Sequence, residues 1–221
     1  RHGIGLPETV FISSKSDAKA AIASVGGAPV IIKLLEGTQG IGVMLAETKE
    51  QAMAILETLL GTGQQVLVQR FVAESRGRDV RALVVGGRVL AAVRRQAHEG
   101  EFRSNIHRGG NAETIQITPE YARTALHAAQ ILGLQVAGVD MLEGANGPLV
   151  VEVNSSPSIE GMSKVTGLDL ATPIAQLIEQ NAHLSQVDMV QRLTLQAGYG
   201  VTEIEVSAKS RLAKTGLAQS G

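Results

Sequence analysis

Apolar residues fall into short blocks along the chain, and the spacing within each block says which element it builds. "PVIIKLL" at 29–35 is short, β-branched and bounded by Pro29 and Gly37, which predicts a buried strand. "VMLAE" at 43–47 resumes as a strand after a glycine-containing loop. Ahead of them, Ser16 and Asp17 are positioned to cap a helix over about 16–25 that Gly26 and Gly27 stop. Behind them, Thr48 and Gln51 form a capping-box pair for a helix with Ala52, Ile55, Leu56, Leu59 and Leu60 on one face. This first unit ends near Gly63.

A second unit opens with a strand at 65–72, "QVLVQRFV", followed by a polar connection. Residues 79–97 read as two antiparallel strands folded about Gly86 and Gly87, a two-residue hairpin signal. The polar stretch 98–114 is long for a structureless connection, and loops of that length are commonly functional or disordered. Thr118 caps and Pro119 opens a helix through about Leu132, with Ala122, Ala125, Leu126, Ala129 and Leu132 as its apolar stripe. "VAGVDML" and "PLVVEVN" then pair about "GANG", and a helix near 170–180 closes the unit. Hairpins with helices between them predict an α+β fold whose sheets are covered on one side. The expected organisation is 1–64, 65–182 and a tail of different character, 183–221.

Composition narrows the function classes. With 20 basic and 21 acidic side chains among 221 residues, nothing marks a general nucleic-acid or membrane-surface binder. Cysteine is absent, which excludes disulfides, thiolate metal sites and cysteine nucleophiles, and fits a reducing compartment. The apolar runs fall far short of the ~20 residues that span a bilayer. The opening "RHGIGLPETVF" has no initiator methionine and no signal-type apolar core, so the sequence reads as a fragment.

Three clusters carry candidate chemistry. Gly37, Gly40 and Gly42 lack the lysine-plus-hydroxyl ending and the following helix of a P-loop, leaving a plain hairpin loop or a flap of backbone N–H groups over phosphates. Lys33, inside an apolar strand, needs an anion: Glu36, another carboxylate, or a ligand phosphate. Asp140, Glu152 and Asn154 share one sheet face if 140 lies opposite 152. Three oxygen donors there make either a hard-cation site suited to Mg²⁺ or a solvated face. Arg103, Asn105, His107 and Arg108 lie in a polar loop, and Arg81 and Arg95 in hairpin strands, each facing either a cleft or water. His2 and His98 have no metal-type spacing, and Ser155 and Ser156 lack a histidine–acid pattern.

Five separated motifs, "VIIKLLEGTQGIGV", "VRALVVGGRVLAAVRRQA", "GEFRSNIHRGG", "VAGVDML" and "LVVEVNSSP", together resemble the RimK-type carboxylate–amine ligases of the ATP-grasp superfamily, over residues 1–180. The resemblance implies an ATP-grasp fold, with ATP between two α+β subdomains and Gly37, Gln39, Gly40 and Gly42 in a lid. It implies that Lys33 touches phosphate, that Arg70 and Phe71 meet adenine, that Asp79 holds the ribose, and that Arg103, Ser104 and Asn105 line the nucleotide site. Asp140, Glu152 and Asn154 would bind two Mg²⁺ or Mn²⁺ ions, with Arg95 and Arg103 as catalytic basic groups. The implied activity is cytoplasmic, in a homo-oligomer: L-glutamate is added to the C-terminal carboxylate of a small-subunit ribosomal protein through an acyl phosphate. Alternatives are a small-molecule or peptide acceptor, or a nucleotide-sensing regulatory module. Relatives carry Glu where Arg70 stands, which bears on side-chain contacts at the hinge. The family's N-terminal domain is missing, and "GYGVTEIEV" onward looks like the opening of a TrkA-C-type ligand-binding domain.

Overall fold

Val30 and Ile32 are fully buried while Ile31 and Lys33 point to the opposite side, and this alternation sets the first layer of the fold. The computed structural model describes residues 3–35, 42–98, 101–102 and 110–182. The chain divides into two units, 1–174 and 175–221, and both sheets belong to the first. The expected lid residues Gly37, Gln39 and Gly40, the loop residues Arg103, Ser104 and Asn105, and the tail from 183 lie outside the described residues.

The first sheet has four antiparallel strands in the order β1 (Thr9–Ile12), β4 (Val66–Arg70), β2 (Val30–Leu34), β3 (Val43–Ala46). Helices α1 (Ala18–Ser24) and α2 (Lys49–Gly61) cover one face, packing Ile22, Leu56 and Leu60 against Val30, Ile32, Val66 and Val68. The capping box at α2 is formed: Thr48 Oγ1 accepts from Gln51 N at 3.2 Å, and Gln51 Oε1 accepts from Thr48 N at 3.3 Å. The strand expected to open the second unit at 65 lies in this sheet. Residues 66–70 pair with β1 and β2, because Val66 and Val68 complete the apolar face that the two helices bury.

The second sheet has five antiparallel strands in the order β7 (Asn111–Thr114), β6 (Arg88–Gln96), β5 (Arg78–Val85), β8 (Val136–Gly144), β9 (Gly147–Asn154). Both hairpins close with two-residue loops, Val85 opposite Arg88 and Gly144 opposite Gly147. Helix α3 (Pro119–Ile131) lays Ala125, Ala128 and Ala129 on Val80, Ala82, Val84, Val139 and Met141. Its predicted stripe fails at Leu132, which is 57% exposed. Leu132 is the cap residue, Gly133 follows at φ 66°, and the N–H groups of Gly133 and Leu134 return to Gln130 and Ala129. That turn sends Leu134 to the core in its place.

Three elements went unforeseen. β1 and β7 are four-residue edge strands, and α4 (Glu160–Thr166) buries only Met162. α5 (Ala171–Ala182) begins where expected, its first N–H groups accepted by Asp169 Oδ1. The link between the sheets contains a 3₁₀ turn at Ala73–Ser75. Ser75 Oγ donates to Arg78 O at 2.7 Å and accepts from Glu143 N at 2.8 Å, tying the link to β8. No helix among the described residues is long and apolar enough to cross a membrane.

Replacing Thr48 with alanine should lower stability by about 1 kcal/mol, the usual effect of losing an N-cap, read as a fall in the urea midpoint at constant slope.

Candidate functional site

The faces of the two sheets turned away from α1, α2 and α3 contribute to one cleft of about 330 Å³. From the first sheet come Ile31, Lys33, Val43 and Gln69, all on the side opposite the helices. From the second come Asp79, Arg81, Arg95, Asp140, Glu152 and Asn154. Phe71 and Arg76 in the connecting link complete one end, the Arg76 guanidinium 5.8 Å from the Phe71 ring centre.

The cleft face of the second sheet rests on a β-bulge. A regular hairpin closed at Gly144 and Gly147 would set Asp140 opposite Val151. The register shifts between Asp140 and Met141, so that Met141 faces Val150 and Asp140 faces Glu152, leaving Val151 as the extra residue. The shift reverses the side-chain parity of β9. Val150 and Val153 both pack with the α3 core, while Val151, Glu152 and Asn154 line the cleft. The expected 140–152 pairing is therefore present, with Asn154 opposite Gly138 on the same strand pair. Gly138 is needed there, since a Cβ would stand 2.9 Å from Pro157 Cβ.

Charge in the cleft is organised around Asp140. Arg81 donates to both of its oxygens, Nε to Oδ1 and Nη2 to Oδ2, each at 2.6 Å. Arg95 Nη2 lies 2.9 Å from Asp140 Oδ2, and the same guanidinium makes a two-pronged pair with Asp79. Asp79, Arg95 and Asp140 are 5%, 5% and 4% exposed. Burial works against the Asp140 charge, and Arg95 and Arg81 outweigh it, holding the carboxyl below its usual value. Burial likewise opposes the Arg95 charge, which Asp140 and Asp79 restore, lifting its pKa above the ordinary guanidinium range.

Lys33 is different. It is half-buried, and burial pushes its pKa below the usual lysine value while Glu152, acting through space, pulls the other way. Among the described residues it has no ion pair; Glu36, the sequence-proposed partner, lies outside them. Glu152 has no ion pair among them either, and Asn154 buries its Nδ2 without a hydrogen-bond partner. Two carboxylates and an amide on one face are a donor set that fits a hard divalent cation. Among the described residues no three His, Asp or Glu side chains converge, so the amide is part of that set.

Of the remaining sequence candidates, Gly42 sits just before β3 with φ 84°, its carbonyl accepting from Leu34 N at 3.0 Å. Arg70 lines the cleft, but its guanidinium is turned to Glu8. His98 is exposed. Arg81, which the sequence allows to face either a cleft or water, is in the cleft; its place two residues after Asp79 puts both on one face of β5.

Residues 1–178 match the RimK-like ATP-grasp domain family. A probable alpha-L-glutamate ligase of Rhodopirellula baltica is 58% identical over 93% of this chain and 51% of its own length. One from Teredinibacter turnerae is 56% identical over 82% of this chain and 60% of its own length. The chain thus spans between half and three fifths of these relatives. The ATP-grasp ligase PsnB, solved with Mg, ADP and a phosphomimetic variant of its minimal precursor, has a TM-score of 0.63 at 26% identity, covering 80% of this chain and 54% of that one.

The depressed Asp140 carboxyl makes stability acid-sensitive. Its contribution is complete above the usual carboxylate value of 3.8 and is lost as pH falls below that, through the folded value. Urea midpoints measured from pH 5 downward should therefore fall less steeply for Asp140→Asn than for the wild type; parallel slopes would refute this.

Proposed function

This chain belongs to the RimK-like ATP-grasp family, and on that premise we propose that it is the nucleotide- and metal-binding part of an ATP-dependent carboxylate–amine ligase. The observation that carries the reading is that Lys33 and the face of Asp140, Glu152 and Asn154 line the same cleft from opposite sheets. A polyphosphate with its counter-cation is a ligand that answers both at once: the phosphate meets the ammonium, and the cation meets the oxygen donors. Lys33 is matched to that role because burial already opposes its charge and no carboxylate pairs with it among the described residues.

In this reading Phe71 and the backbone at Arg70 receive the base, and Asp79 the ribose. Gly37, Gln39, Gly40 and Gly42 close over the phosphates, and Arg103, Ser104 and Asn105 approach from the polar loop. Asp140, Glu152 and Asn154 hold Mg²⁺ or Mn²⁺, as one ion or two. The metal, when bound, neutralises phosphate charge and orients the transferred group. A carboxylate oxygen attacks the γ-phosphorus, ADP leaves, and the amine then attacks the acyl phosphate carbonyl and expels phosphate. That sequence needs positioned cations and excluded water rather than a protein nucleophile, and Arg95 and Arg103 supply positive charge toward it.

The names of the relatives support L-glutamate as the amine. The acceptor is then a C-terminal carboxylate of a protein or peptide, a small-subunit ribosomal protein being the specific candidate. The activity belongs to the whole protein, of which relatives are up to about twice as long as this chain. With the full-length enzyme, ADP release should require glutamate, an acceptor and Mg²⁺ together, with mass spectrometry showing added glutamate; no dependence on any acceptor would reject the ligase reading. Lys33→Ala should weaken nucleotide binding roughly 10- to 100-fold in calorimetry, the worth of one charge-assisted hydrogen bond, without lowering the melting temperature. Unchanged affinity would mean that the lysine serves the empty fold alone.

A further inference from the structure

Both oxygens of Asp140 already face a guanidinium. Oδ1 is taken by Arg81 Nε, and Oδ2 is shared between Arg81 Nη2 at 2.6 Å and Arg95 Nη2 at 2.9 Å. A divalent ion against either oxygen would lie within a few ångströms of a guanidinium, where like charges repel strongly in a site sheltered from water. One guanidinium has to move before Asp140 can serve as a metal ligand.

The two are not equivalent. Arg95 has a side chain 6% exposed and grips both oxygens of Asp79, so moving it would break a buried two-pronged pair. The Arg81 side chain is 20% exposed, opens on the cleft, and among the described residues has Asp140 as its one ion-pair partner. Glu152, across the strand pair, has no ion pair among them. Half of the candidate cation site is open, and the other half is covered by the more exposed of two cations.

We propose that Arg81 is a placeholder for the divalent cation: it neutralises Asp140 while the cleft is empty and leaves it when the metal binds. Metal binding is then an exchange of one cation for another, and the empty protein avoids a buried, half-paired carboxylate. This rests on the reading of Asp140, Glu152 and Asn154 as the metal face.

The test is Mn²⁺ titration of the full chain without nucleotide, with free ion counted by electron paramagnetic resonance. Arg81→Met fills similar space without charge and should tighten Mn²⁺ binding at least about tenfold, equivalent to ~1.4 kcal/mol. Arg81→Lys keeps the charge but loses the two-pronged fork, and should fall between the two. Unchanged or weaker binding in Arg81→Met overturns the proposal and makes Arg81 a residue that positions Asp140 for the metal. Arg81→Lys identical to the wild type also overturns it, because the effect of the methionine would then be one of distant charge. Should Arg81→Met fail to fold, the lysine variant decides alone: tighter binding supports exchange, and unchanged or weaker binding rejects it. Glu152→Gln separates this from the metal reading itself. Loss of Mn²⁺ binding there upholds the metal face, whereas full binding removes that face and the exchange with it.

Discussion

One buried guanidinium holds the second sheet together at its functional end. Arg95 stands on β6, pairs with Asp79 on β5 and reaches Asp140 on β8, so a single side chain bridges three strands on the face away from the helix. Burying these groups is unfavourable unless each finds its partner, and removing one partner of such a set costs about 3–5 kcal/mol. The strand order places β5 between the other two, and the hairpin register sets Asp79 directly opposite Arg95. The charges are thus tolerable only in this topology, and they penalise any slipped register, which would separate them.

The two sheets divide the work. Each buries one face under helices, with alanine-rich contact at α3 and branched aliphatic contact at α1 and α2, and each turns part of its other face to the cleft. Apolar packing sets the distance between strand faces; the charged residues then decorate a surface already fixed in place. That is why an apolar strand can carry Lys33 without disrupting its sheet. Val30 and Ile32 hold the strand on the helix side while the lysine faces outward.

Much of this was legible because the signals were local. Thr48 with Gln51, Thr118 with Pro119, and the two-residue hairpin loops each depend on residues a few positions apart, and the structure has all of them. What escaped depended on partners distant in sequence. "NAET" has no apolar alternation and is a strand because β6 offers it an edge; Thr114 then reaches Val165 O in α4. α4 has no side-chain cap and one buried residue, too little for a pattern to show. The bulge at Val151 left no composition signal, yet without it Glu152 would turn to the core. Arg81 was readable as a cleft residue from period two alone, but its pairing with Asp140 required knowing that β5 lies beside β8.

The Ser75 hydroxyl has a mechanical consequence. Its proton goes to Arg78 O and its lone pair receives Glu143 N–H, so the end of the connecting link is riveted to the strand that carries Asp140. Residues 75–78 are therefore fastened to the second sheet, and Arg76 also pairs with Glu47 just beyond β3, so this stretch is no loose tether. The chain also crosses between the sheets near its start, where Gly5 O accepts from Val150 N and β1 follows in the first sheet, so two backbone crossings join the walls of the cleft, and Phe71 on one of them lines it.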